Sequence, residues 1–119
     1  MEPSRIHELN KIAGAFCGKE MEERNSRWFT IMTFPEGNVL SEWSPCTDHN
    51  QAAEVKAMLR EKAIEHESRY DSLLNKYLIR MSKPKMAITV STKITGYDES
   101  ELLAFAMAVE KMREGERYV

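Results

Sequence analysis

The nearest thing to a reactive pair in this chain is Cys46 with His49, three residues apart where a helix is expected to begin. A thiol at a helix N-terminus beside an imidazole can ionise below its usual range and serve as nucleophile or metal ligand. Such a site needs a positioned base or further ligands, because a closed zinc site takes four. His7 and His66 are the other histidines, and nothing in their spacing makes them converge on Cys46. Cys17 stands at no paired spacing from Cys46, which argues for a reducing compartment and against a disulfide scaffold. The acid pairs Glu22–Glu23 and Asp98–Glu99 are adjacent rather than opposed, and suit loops and helix dipoles better than acid–base work. No glycine-rich phosphate loop, nucleophile elbow or Walker pattern occurs. The expectation is a protein that is not an enzyme and needs no cofactor or metal.

Two other groups could bind rather than react. Trp28 and Trp43 could line a ligand pocket as its aromatics. The plainer reading is that they pack the core, since large aromatics supply much of a small protein's burial. The second group is basic. Residues 72–97 hold Lys76, Arg80, Lys83, Lys85 and Lys93 and no acid, a charge of +5, while the rest of the chain has 12 bases and 19 acids. A basic hairpin on an acidic body could hold phosphate, nucleic acid or an acidic protein face. Lysines and a proline are also what edge strands use against aggregation, and that reading is the plainer one here.

The remaining composition excludes more than it suggests. The chain has 119 residues, the length of one domain (1–119), with 42% apolar and 30% charged residues and a net charge of −2. That balance gives no global electrostatic case for nucleic acid or an anionic membrane. No apolar run approaches the roughly 18 residues a membrane span needs. Met1-Glu2-Pro3-Ser4-Arg5 lacks a signal-peptide pattern, so a cytoplasmic protein is expected.

The elements that must position these residues follow from periodicity. Ser4 can cap a first helix with Ile6, Leu9, Ile12, Ala13 and Phe16 on one face, stopped at Gly18. Residues 19–26 are polar and read as a loop. Trp28 to Phe34 is a strand apolar on both faces, turned at Pro35-Glu36-Gly37-Asn38 into a partner strand from Val39 to Trp43. Asp48 and Gln51 form a capping box for a second helix striped by Ala52, Val55, Leu59 and Ala63, fading near His66. Residues 67–75 carry no clear pattern and admit helix, loop or strand. Strands from Leu74 to Met81 and Met86 to Ser91 join at Ser82-Lys83-Pro84-Lys85. A last helix has an Asp98/Glu101 capping box, a Tyr97–Leu102 staple, a stripe of Leu102, Phe105, Ala106, Val109 and Met112, and an end at Gly115. No internal repeat is visible. The order α-ββ-α-ββ-α, with a doubly apolar strand wanting cover on both sides, predicts an α+β protein. Its expected form is an α/β/α sandwich with one four-stranded, mostly antiparallel sheet.

At Trp43-Ser44-Pro45-Cys46-Thr47-Asp48 the chain resembles the phage ABA sandwich domain family, small proteins of bacteriophages and prophages. Glu8-Leu9-Asn10-Lys11-Ile12, the aromatic strand into Pro35-Glu36-Gly37-Asn38, Ala52-Ala53-Glu54-Val55 and the Leu- and Ala-rich last helix also carry the likeness. Cys46, where a small polar residue is expected, and the long polar stretch from Glu65 to Lys76 depart from it. The resemblance implies an αβα sandwich encoded by a phage and working in the host bacterial cytoplasm; it implies no catalytic residues. The functional expectation is a non-catalytic accessory protein that binds a host protein, an anti-defence (anti-CRISPR-like) inhibitor being one such role. The alternatives are a sponge for a small phosphorylated or nucleotide ligand, with Trp28, Trp43 and the basic hairpin lining a site at an oligomer interface, or a nucleic-acid binder using the hairpin.

Overall fold

The computed structural model describes residues 2–83, 86–93 and 98–117. The chain runs α1 (Pro3–Phe16), β1 (Met21–Arg24), β2 (Arg27–Phe34), β3 (Gly37–Trp43), α2 (His49–Glu61), β4 (Glu65–Asp71), β5 (Lys76–Lys83), β6 (Met86–Lys93) and α3 (Asp98–Arg117). The fold is α+β, but the strands make two separate three-stranded antiparallel sheets, β1-β2-β3 (sheet A) and β4-β5-β6 (sheet B). The expected single four-stranded sheet is thus corrected. Both expected hairpins form, and each gains one strand at its N-terminal side. After α1 the chain follows two consecutive βββα units, a repetition of architecture that no sequence repeat announces.

The two missed strands have clear physical causes. β1 reads Met-Glu-Glu-Arg and turns through Asn25 and Ser26, both at positive φ, a type I′ hairpin turn without the glycine that usually marks it. β4 reads Glu-His-Glu-Ser-Arg-Tyr-Asp and is mostly exposed, so it has no apolar alternation to detect. Its turn is built locally. Asp71 Oδ1 accepts from the Leu73 and Leu74 N–H groups, and Tyr70 donates its hydroxyl to Asn75 Oδ1.

Helix ends also differ in detail. α1 starts on Pro3 and uses no side-chain cap, so Ser4 lies inside it. Gly18 at φ 68° ends it as expected, with Lys19 N–H returning to the Gly14 carbonyl. Asp48 caps α2 by accepting from the Asn50 and Gln51 N–H groups. Gln51 does not complete the box. Its amide bridges Ser44 N–H and the Glu42 carbonyl, pinning α2 to the end of β3. α3 continues past Gly115 to Arg117, and Glu101 accepts from the Ser68 hydroxyl of sheet B. The Tyr97 staple and the turn residues Pro84 and Lys85 lie outside the described residues.

α1 packs on α3, with α1 carrying sheet A and α3 carrying sheet B. One core joins them: Ala13 and Phe16 of α1, Trp43 of β3, Val55 and Leu59 of α2, Ile79 and Met81 of β5, Val90 of β6, and Phe105, Val109 and Met112 of α3. The buried stripe of α1 is Leu9, Asn10, Ala13, Gly14 and Phe16, rotated from the expected one so that Ile12 is only half-buried. Gly14 belongs there because a side chain would not fit. A Cβ on it would lie 2.3 Å from Met21 Sδ and 3.0 Å from Trp43 Nε1. Arg5 and Glu110 close the α1–α3 contact with a two-pronged ion pair.

Candidate functional site

The Trp43-to-Asp48 segment is a structural joint. Trp43 is 2% exposed and donates its indole N–H to the Asn10 carbonyl at 3.0 Å. Asn10 itself is buried. Its Oδ1 accepts the Cys46 N–H at 3.0 Å and its Nδ2 donates to Ser44 Oγ at 3.3 Å. Cys46 is fully buried, and burial pushes its thiol up to about 12, the opposite of an activated nucleophile. His49 sits exposed on the first residue of α2, so the sequence pair does not share an environment. His7 instead stacks on Trp28 with ring centroids 5.0 Å apart, and His66 packs edge-on to Phe105. His7 Nε2 lies 3.3 Å from Glu23 Oε1, within ion-pair reach of a protonated ring but without hydrogen-bond geometry. Among the described residues no three His, Cys, Asp or Glu side chains gather as a metal site.

Trp28 and Trp43 are direct partners across β2 and β3. Both grip α1 in the same way, Trp28 by donating to the His7 carbonyl at 3.0 Å. A cleft of about 140 Å³ lies at this junction, lined by both tryptophans with His7, Asn10, Arg27 and Ser44. It is too small for most organic ligands, whose sites run to roughly 300–1,000 Å³. The aromatic pair therefore acts first as an anchor between sheet A and α1.

The basic residues are placed differently from the edge-strand expectation. β5 is the central strand of sheet B, flanked by β4 and β6, so edge protection does not account for Lys76 and Arg80. Ile79 and Met81 are buried in the core under α3, so the alternation of β5 sends Lys76, Leu78, Arg80 and Ser82 to the other face of the sheet. Lys93 is the register partner of Lys76. Lys83 pairs in register with Met86, and Lys85 lies outside the described residues. Thus β5 brings Lys76 and Arg80 to one face, with Lys93 opposite Lys76 in register.

Two depressions open on this outer face. One of about 600 Å³ is lined by Arg60 from the end of α2, by Glu65, His66 and Glu67 of β4, and by Arg80 and Ser82 of β5. A second of about 150 Å³ shares Glu67 and Arg80 and adds Arg69, Leu78 and Thr89. Arg60, Arg69, Lys76 and Arg80 make no ion pair among the described residues. The His66 imidazole is held below its ordinary range, chiefly by burial and then by the cations Lys56 and Arg60. Arg60 is not recognisable as a member of this group from sequence; it comes from a different element, and only the α2-to-β4 turn, with Ala63 at φ 57°, brings it to the depression that Arg80 lines. His66 borders the same depression, but its ring lies on the α3 side of sheet B against Phe105.

No family model matches the chain, and comparison with curated proteins and with solved structures finds no significant match. Among the described residues no helix is long and apolar enough to cross a membrane.

Proposed function

We propose that this chain is a non-catalytic binding protein that holds an anionic surface of a partner protein on the outer face of sheet B. The observation that carries the reading is Arg80. It stands on a central strand, exposed, without an ion pair among the described residues, at the wall shared by both depressions. Lys76 and Arg69 stand on the same sheet face, where Asp71 and Glu67 are the register partners of Lys76 and Arg80, and Arg60 adds a further cation at the helix end. Cations on a sheet face, without an ion pair among the described residues, meet an acidic partner without first breaking one of those pairs. The resemblance to small phage proteins supports a bacterial host protein as that partner and inhibition of a defence component as one such role.

The test is capture from bacterial lysate by the wild-type chain and by a Lys76→Glu, Arg80→Glu double variant. A stoichiometric partner held by the wild type, released by salt and lost with the double variant supports the reading. Equal capture by both proteins, or no stoichiometric partner at all, would overturn it.

A small phosphorylated ligand is the second reading, favoured by the size of the larger depression and by Arg60, Arg80 and Ser82 in its wall. Native mass spectrometry with nucleotide mixtures separates it from the first, since a small ligand adds its own mass to the chain. Nucleic acid is supported less well. Tyr70 and Tyr77 pack against each other at a tilt on the helix side of sheet B, leaving its outer face without the aromatic platform that holds single strands.

A further inference from the structure

Sheet A ends in an arm whose chemistry is unlike the rest of the molecule. Residues 32–39, the distal half of the β2–β3 hairpin, are all exposed. Met32 is 52% exposed, Phe34 42% and Val39 51%, and the pairing Met32↔Val39 sets the first and last side by side on one face. Phe29, Ile31 and Leu40, on the opposite face, are half-buried. Glu36 is the only charged residue between Trp28 and Ser41, in a chain that is 30% charged. Soluble edge strands normally carry a lysine, an inward charge or a proline in the strand; β3 has none from Gly37 to Ser41.

The backbone of β3 is also open among the described residues. Ile31 N–H donates to the Glu20 carbonyl, so odd-numbered residues of β2 turn towards β1 and even-numbered ones towards β3. Their register partners in β3 are the odd-numbered Val39, Ser41 and Trp43. The N–H and C=O groups of Asn38, Leu40 and Glu42 therefore point away from the sheet, along its free edge. The Glu42 carbonyl already accepts from Gln51, which fixes that end of the strand and leaves a second lone pair.

We propose that β3 pairs antiparallel with β3 of a second copy of this chain, joining the two A sheets into one six-stranded sheet about a two-fold axis at Leu40. A second copy fits because a two-fold axis sets like residues near like, which a charged edge would oppose. Here Leu40 meets its own copy, Val39 meets the partner's Ser41, and Asn38 meets the partner's Glu42, an amide beside a carboxylate. No like charges face each other in this register. Shifting it two residues towards Glu42 would set the two Glu42 carboxylates together. The pairing sets Leu40 against its own copy on one face of the joined sheet and Val39 beside the partner's Ser41 on the other. The arm is small beside the roughly 20–30 residues that a standard interface uses on each side, so the dimer is reversible and concentration-dependent.

Sedimentation velocity of the full chain over the micromolar range reads the equilibrium directly. The wild type should shift from monomer to dimer as concentration rises. Leu40→Lys, which sets two cations on the axis and removes two buried leucines, should weaken the dimer roughly tenfold or more. Asn38→Lys, which sets a cation against the partner's Glu42, should tighten it. Amide exchange of the wild type gives a variant-free readout: the Leu40 and Glu42 N–H groups should exchange more slowly at high concentration. A chain that stays monomeric throughout, a dimer indifferent to Leu40→Lys, or one weakened by Asn38→Lys would overturn the proposal.

Discussion

Trp43 donates its indole N–H to the Asn10 carbonyl, and Asn10 holds the following turn through its side chain. One buried residue of α1 thus fixes the end of β3 and the start of the link to α2. Removing the side chain leaves the Cys46 N–H buried and unpaired. Asn10→Ala should cost about 2 kcal/mol, the penalty for an orphaned buried donor. Ser44→Ala should cost less, about 1 kcal/mol, because it removes only the long 3.3 Å bond from Asn10 Nδ2 and an exposed hydroxyl contact with Thr47, and leaves the Cys46 N–H paired. Urea unfolding curves of the two variants give the comparison; equal losses would refute the asymmetry.

Gly14 lies under Met21 and Trp43. Alanine there gains about 1 kcal/mol in helix propensity but collides with both. Overpacking costs of roughly 1–3 kcal/mol should prevail, so Gly14→Ala should lower stability. The nearest atoms belong to the flexible end of Met21. Met21→Ala in the Gly14→Ala background should therefore cost less than Met21→Ala alone, a coupling that a double-mutant cycle measures.

The two thiols should separate by reactivity. Burial raises both, Cys46 to about 12, and Cys17 is only half-buried. A thiol reagent at neutral pH should label Cys17 slowly in the native protein and Cys46 only after denaturant is added. Prompt native labelling of Cys46 in a Cys17→Ser variant would contradict its burial.

His66 makes stability pH-dependent. Its folded value lies below the ordinary 6.5, so the unfolded chain binds the proton more readily than the folded one. The stabilising contribution is present above pH 6.5 and is lost as acid charges the ring at lower pH. The urea midpoint should fall between pH 7.5 and the acid side of 6.5, and fall less in His66→Gln. If the two proteins show the same pH slope, Lys56, Arg60 and burial do not act through this ring.

Three helices and both hairpins were legible because each buries one regular stripe or alternates along a strand. Leu9, Ala13 and Phe16 announce α1, and Met86, Ile88 and Val90 announce β6. β1 and β4 were not legible. Edge strands with polar side chains are defined by backbone bonds to a neighbour, and those bonds leave no periodic mark in the side chains. The candidate site was half legible. Lys76 and Arg80 stood out by charge, whereas Arg60 had no local signal linking it to either.

By itself the sequence determined the α+β class, the turn chemistry at Pro35–Gly37 and Asp48, and the charge contrast between residues 72–97 and the remainder. Only the tertiary structure decided that the strands divide into two sheets, that β5 is central, and that Arg80 faces away from the core. The reason is the range of the forces involved. Periodicity and capping act within one element and are written along the chain. Which strand lies beside which, and which face α1 or α3 covers, depends on contacts between residues far apart in sequence. Asn10 with Cys46 and Arg5 with Glu110 are two of them.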